Sequence, residues 1–273
     1  LGGVTQSMKN KYLLFIGMLT MGTIILSTIT LPFVISLDFE KIDLFSLNTS
    51  PSKEHLLGTD SLGRDVFSRI VYGVRVSLLV GILATFFQLI IGVVIGVLGG
   101  YFKGKISLFI SIIIDVFMSF PFLIIAIVIS SILGPSIVNV IIIISIFQWT
   151  EVARIIRTAV LKVCEEDFVK SSRIIGFDFI RIIRFHVIPN ILKQIIVAST
   201  IAMANAVLIE ASLSFLGLGV KPPMPSLGNI LESAQNITAI QNYWWQWIPA
   251  GIITILIVFS INSIGRGLEQ LYK

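Results

Sequence analysis

Residues 13–37 form a run of 25 positions without one charged side chain. A helix needs about 20 mostly apolar residues to cross the hydrocarbon core of a bilayer, so this stretch alone points to a membrane. It is too long for the core of a secretory signal and lacks a small-x-small cleavage site, so it reads as a retained span. Five more runs follow, at about Val76–Tyr101, Ile106–Leu133, Ile137–Ala153, Ile191–Val220 and Trp247–Gly265. The third contains Asp115 and Pro121 and ends at Gly134-Pro135-Ser136. The fourth is the shortest and carries Glu151 near its end, and the fifth contains Lys193 and Glu210. Only 13% of the residues are charged and 55% are apolar, whereas a soluble domain averages about 25% charged. A water-soluble core of this size could not hide that much apolar surface. The expected fold class is an all-α polytopic membrane protein with six transmembrane helices.

The loops set the orientation. With the amino terminus inside, 14 of the 20 Lys and Arg residues fall on the inner side and 6 on the outer, the bias that cytoplasmic loops carry. Both termini are then cytoplasmic, and the net charge of +5 belongs to loops facing the cytoplasm, with no nucleic-acid partner. Tyr243, Trp244, Trp245 and Trp247 fall where the sixth span meets the outer headgroups, as an aromatic belt would. The chain divides into residues 1–75 (tail, first span and long outer loop), a core at 76–268 with a cytoplasmic loop at 154–190, and a cytoplasmic tail at 269–273. Around that loop, Val152, Ile155, Ile156, Ala159, Val160 and Val163 share one helical face, and Ile175, Phe179, Ile182, Ile183 and His186 repeat the pattern after Gly176. The loop reads as two or three short amphipathic helices bent at Gly176. Its apolar surface needs helix ends or a soluble partner to pack on.

Catalytic constellations are nearly absent. His55 falls outside and His186 inside, so they cannot share a metal or a triad. Neither H-E-x-x-H nor G-x-S-x-G occurs. Cys164 alone allows no internal disulfide and no Cys-based zinc site, and beside Glu165 and Glu166 its thiol is disfavoured as a nucleophile. Gly99–Ile106 (GGYFKGKI) approaches the phosphate loop G-x-x-x-x-G-K-[ST], but Ile106 cannot ligate magnesium and a span precedes it instead of a strand; it reads as a basic turn. No cofactor or metal is expected in this chain, and ATP-driven action needs a separate ATPase. The candidates for function are the charges within the spans. Asp115 shares a face with Ser111 and Ser119, with Pro121 just beyond to kink the helix. Glu210 and Ser214 end an Ala198-Ala202-Ala206-Glu210-Ser214 stripe. Gly92, Gly96 and Gly100 form a comparable stripe, through which helices pack closely. Asp115, Glu210 and Ser214 either pair between helices or line a polar translocation path.

Gly58-Thr59-Asp60-Ser61-Leu62-Gly63-Arg64-Asp65-Val66-Phe67-Ser68-Arg69, continuing through Gly73 and Arg75 to Ser77-Leu78, resembles the G-T-D-x-x-G-R-D-x-x-S-R-x-x-x-G-x-R-x-S-L signature of permease subunits in dipeptide, oligopeptide and nickel ABC importers. Its glycines and acidic residues suit a tight, self-bonded turn entering a helix. Lys170-Ser171-Ser172, Gly176, His186 and Ile188-Pro189 match the spacing of the E-A-A-x3-G-x9-I-x-L-P coupling motif of the same permeases. Here Lys170 replaces the glutamate, Ser171 and Ser172 replace the alanines, and His186 replaces an isoleucine. Glu210-Ala-Ser-Leu-Ser-Phe-Leu-Gly-Leu-Gly219-Val220-Lys-Pro-Pro resembles a third segment of the family, although the Trp-Gly that usually follows is absent. Asp115 to Pro121 resembles its D-x5-P. The likeness covers about residues 55–268 and is to the C-type permease.

The resemblance implies a type I ABC importer permease (MetI-like) fold in a bacterial cell (inner, plasma) membrane. It implies four partners: a homologous B-type permease, two cytoplasmic ABC ATPases that hold the ATP and magnesium, and an extracytoplasmic substrate-binding protein. The coupling element would comprise Glu166, Asp167, Phe168, Val169, Lys170, Ser171, Ser172, Arg173, Gly176 and Phe177, with Pro189 closing the motif, and would present the small pair Ser171 and Ser172 to an ATPase groove. The outer motif would comprise Gly58, Thr59, Asp60, Gly63, Arg64, Asp65, Arg69 and Arg75, chiefly as a structural cap. The cargo implied is peptides, with nickel or a metal chelate as the alternative. A reading from another class is an ion-coupled secondary transporter using Asp115 and Glu210.

Overall fold

A computed structural model describes residues 2–271. They are almost wholly helical, with no extended pairing among them beyond the single Thr59–Asp65 bridge. Helix α1 (Gly2–Val34) holds the first span, whose apolar part runs Lys11–Val34. Helix α2 (Val66–Tyr101) begins ten residues earlier than the expected Val76. Asp65 starts it by accepting the N–H of Ser68 at 2.7 Å. Its two arginines, which marked this stretch as a loop, both find partners. Arg75 donates through Nε to the Thr28 carbonyl of α1 at 2.8 Å, and Arg69 is buried beside Asp60.

The expected third span is broken rather than kinked. Helices α3 (Lys105–Ser119) and α4 (Phe122–Leu133) meet at a bend of 76°. Pro121 has no N–H to continue the ladder, and Phe120 before it is extended (φ −87°, ψ 134°). Helix α5 (Ile137–Cys164) corrects the expected fourth span, which does not stop at Ala153. Val152, Ile156, Val160 and Cys164 are buried at every fourth residue, so the helix continues while Arg154 and Thr158 occupy its opposite face. The first eleven residues of the expected 154–190 loop are therefore helix. The remainder folds as α6 (Asp167–Ile174), a turn at Gly176 (φ +89°), α7 (Phe179–Ile182) and a π-helical stretch, Ile183–Val187. This leads directly into α8 (Ile188–Phe215). At the far end come α9 (Leu227–Leu231), α10 (Ile237–Asn242) and two 3-10 turns, before α11 (Ile248–Leu271). Helix α11 thus passes Gly265 and takes in most of the expected tail. Tyr272 and Lys273, the latter counted on the inner side, lie outside the described residues. Among the described residues, five helices are long and apolar enough to cross a membrane, and the bent α3–α4 pair supplies a sixth if taken as one span.

The core is a three-helix hub of α2, α5 and α8, with α1 and α11 paired beside it. Gly92, Gly96 and Gly100 are the contact face of α2. A Cβ on Gly96 would lie 2.8 Å from the Ala153 carbonyl oxygen and 2.9 Å from Ile156 Cβ, so the two backbones touch there. Residues 35–65 and 216–247 cover one end of the bundle, here called the cap, and residues 165–187 form an elbow at the other. The cap corrects the aromatic-belt expectation in part. Trp244 is half exposed, but Trp245 is buried and donates Nε1 to the Thr59 carbonyl at 3.2 Å.

Candidate functional site

The cap motif is a self-bonded turn. Gly58 and Gly63 sit at φ +68° and +75°. The Thr59 hydroxyl donates to the Ser46 carbonyl and accepts the Thr49 N–H at 2.8 Å. Asp60 Oδ1 accepts the N–H groups of Leu62 and Arg64 at 2.9 and 3.0 Å, and its Oδ2 accepts Arg64 Nε at 2.7 Å. Asp65 joins the turn to α2 and lies 3.0 Å from the His55 ring. Nearby, Asp43 accepts the Phe45 N–H and then the Ser46 hydroxyl, which holds its carboxyl below the usual carboxylate range.

Glu210 and Ser214 lie under this cap and are 0% and 1% exposed. The Ser77 hydroxyl of α2 donates to Glu210 Oε2 at 2.6 Å, and the Ser214 hydroxyl to Oε1 at 2.7 Å. Each hydroxyl also accepts a backbone N–H from the cap: Ser77 from Leu227 at 3.2 Å and Ser214 from Val220 at 3.1 Å. One carboxylate thereby ties α2 and α8 to the segment that follows α8.

Asp115 is placed quite differently. It lies ten residues into α3 and Arg154 lies ten residues before the end of α5, each about 15 Å along its helix from the elbow end. Arg154 Nη2 donates to Asp115 Oδ1 at 3.1 Å, and the two side chains are 53% and 64% exposed. On hydropathy Arg154 belongs to a loop, so the sequence does not pair it with Asp115. Glu151, expected near the end of its span, lies deeper than that. It sits mid-helix and accepts Asn205 Nδ2 of α8 at 3.3 Å, and only the unbroken four-residue periodicity out to Cys164 signalled that depth. Charges at such depth are costly unless paired. We expect Asp115→Asn and Arg154→Gln each to lower the folded yield, with the double variant closer to wild type than either single by about 1 kcal/mol or more. A double-mutant cycle on detergent-solubilised thermal stability measures this.

At the elbow, Val169, Ile182 and Val187 are fully buried against Val97, Ile156 and Ile191, which fixes α6 and α7 to the hub. The Arg173 guanidinium stacks 4.4 Å over the Tyr101 ring. Ser171 is exposed, but Ser172 turns inward, donating to the Phe168 carbonyl at 2.7 Å and lying 3.3 Å from His186 Nε2. The expected pair of outward serines is therefore one serine. Glu166, Asp167, Phe168, Lys170 and Gly176 face outward, Arg173 and Phe177 are half-buried, and Pro189 opens α8. Ile174, Ile175, Ile180 and Phe185 are exposed by 62–85%, an apolar surface beyond the long helices. Among the described residues, no group of three or more His, Cys, Asp or Glu side chains is placed to hold a metal ion.

Residues 92–273 match the family described as binding-protein-dependent transport system inner membrane component. The chain is 38% identical over 265 residues to a dipeptide transport system permease protein of Alkalihalophilus pseudofirmus, covering 97% of this chain and 86% of that one. It is 33% identical over 263 residues to an oligopeptide transport system permease protein of Bacillus subtilis (strain 168), covering 96% and 85%. Among solved structures it is similar to an inward-facing conformation of the MetNI methionine ABC transporter, with a TM-score of 0.62 and 21% identity over 75% of this chain and 96% of that one.

Proposed function

Because the chain belongs to the binding-protein-dependent transport system inner membrane component family, we propose that it is the permease subunit of an ATP-driven ABC importer of di- or oligopeptides. Its fold is the MetI-like fold of ABC importer permeases. Nucleotide hydrolysis lies in separate subunits, and this chain is the multi-pass membrane component. Peptides are favoured over nickel by the relatives named dipeptide and oligopeptide permeases. In this reading the subunit is C-type, works beside a homologous B-type permease, and receives cargo from a substrate-binding protein at the cap. Two cytoplasmic ATPases act at the elbow, so both termini are cytoplasmic. The Asp115–Arg154 face borders the path, whereas Glu210 and Ser214 hold the cap.

The observation that carries this reading is the elbow. An element packed rigidly on the hub, yet exposing Phe168, Ile174 and Ile175 beyond the spans, is built to be pushed by a partner, and an ion-coupled carrier has no use for it. The test is Ile174→Asp, together with Ser171→Trp, in the assembled importer. A desolvated charge at a docking surface costs several kcal/mol, so we expect co-purification of the ATPases and ATP-driven peptide uptake to fall at least about tenfold. Wild-type uptake in both variants, or uptake that persists without ATP, refutes the reading.

A further inference from the structure

Glu151 stands midway along α5, fourteen residues from Ile137 and thirteen from Cys164. Its Oε2 accepts Asn205 Nδ2 of α8 at 3.3 Å, a long bond to a neutral amide. Its Oε1 makes no hydrogen bond among the described residues and is not shut off from the surface. The cations nearby are committed elsewhere. Arg154, three residues on, is held by Asp115 at 3.1 Å. Arg157 is turned about a third of the way round the helix, where it donates to Ser107 Oγ at 3.1 Å. On α8 the one cation is Lys193, twelve residues from Asn205, and it lies 3.8 Å from Glu269 of α11. This face therefore carries two carboxylates, Asp115 and Glu151, against the single guanidinium of Arg154.

The surplus charge has an open, polar setting. Gln148, Glu151, Arg154 and Thr158 follow one another at three and four residues and share one side of α5. Arg154 is 53% exposed, and Ile201 and Leu208, which flank Asn205 on α8, are exposed as well. No other part of the subunit packs over this side. Against hydrocarbon an unpaired carboxylate at such depth is costly, so the stripe suits a water-filled passage. Within a low-dielectric wall a single charge also acts strongly on what passes it. A peptide's two termini cancel at a distance, which leaves the charge of its side chains to be sensed.

We propose that Glu151 selects cargo by charge. It favours peptides bearing a Lys or Arg side chain, whose cationic group pairs with the free Oε1, and it disfavours peptides bearing Asp or Glu. That the cargo is a peptide and that this face borders its path rest on the function proposed above; the unneutralised carboxylate rests on the geometry itself.

The test measures ATP-driven uptake of Ala-Lys-Ala and of Ala-Glu-Ala by the assembled importer in proteoliposomes, with the same saturating binding protein throughout. The ratio of basic to acidic cargo in each variant, divided by the wild-type ratio, cancels the binding protein's own preference. Glu151→Gln keeps an acceptor for Asn205 and removes only the charge. A bond to a charged group sets the scale, so the ratio should fall at least about tenfold. Glu151→Asp should stay near wild type. Gln148→Lys leaves Glu151 in place and sets a cation three residues from it on the same face; it should also lower the ratio, and it decides the matter if Glu151→Gln does not assemble. An unchanged ratio in Glu151→Gln, or in Gln148→Lys where the former does not assemble, overturns the selector. So does a ratio that falls as far in Glu151→Asp, or a loss of both cargoes alike, which marks Glu151 as a strut for α8 or as the partner of a cation on the second permease. ATP-driven uptake by wild type beside any of those outcomes leaves the importer standing without the selector, whereas no ATP-driven uptake of either peptide by wild type removes the importer reading itself.

Discussion

Replacing Glu210 with alanine is expected to detach the cap from the hub and remove the subunit from the membrane. The substitution strips two buried hydroxyls, Ser77 and Ser214, of their common acceptor and leaves a void at a position that is 0% exposed. Each buried polar group left unsatisfied costs about 1–3 kcal/mol, so the loss is about 3 kcal/mol or more, a large share of ordinary stability. Because each hydroxyl also accepts a backbone N–H at Val220 or Leu227, the damage should spread to residues 216–231. Limited proteolysis should find new cleavage there first, and thermal unfolding of the solubilised complex should start lower. Glu210→Gln is the discriminating control. Its carbonyl still accepts one hydroxyl and its amide donates to the other, so about 1 kcal/mol is lost, and peptide uptake should persist. If Glu210→Gln abolishes uptake while the complex remains folded, the carboxylate has a role in transport that the cap does not explain.

A leucine at Gly96 should also be damaging. Even its Cβ would come within 2.9 Å of Ile156 Cβ and 2.8 Å of the Ala153 carbonyl, and helix packing inside a membrane depends on such close approach. Helices α2 and α5 would have to part along the contact face that also contains Gly92 and Gly100. Overpacking costs about 1–3 kcal/mol and occasionally more, so folded protein recovered by size exclusion should drop about tenfold. Gly22→Leu on α1, where an added Cβ meets nothing within 4 Å, should be recovered at wild-type levels.

Much of this architecture is legible from residue type. Long apolar runs locate the spans, Pro121 locates the break and Gly176 the elbow's bend, because each has a local cause that acts wherever the residue sits. What is illegible depends on partners far away in sequence. Arg75 resembles an outer-loop residue until the Thr28 carbonyl is seen to hold it, so α2 seems ten residues too short. Arg154 ends a span on hydropathy alone, but it lies on the one face of α5 that is not packed, and Asp115, 39 positions away, pairs with it. Ser171 and Ser172 are chemically identical neighbours. Which one turns outward is decided by His186 and by the burial of Val169, and no local pattern encodes that choice. The cap motif could be seen as a turn, yet the burial of Arg69 beside Asn229, far along the chain, could not.

The interruption between α3 and α4 also bears on how such a chain is made. A helix that stops at Ser119 presents its final carbonyls to whatever surrounds it, and hydrocarbon can satisfy none of them. Newly inserted and alone, the polypeptide would keep those oxygens and the adjoining acid–base couple against lipid, a condition that favours surveillance proteases. Stoichiometric co-synthesis with whatever shields that flank then becomes a requirement for accumulation, and an orphaned copy should be short-lived.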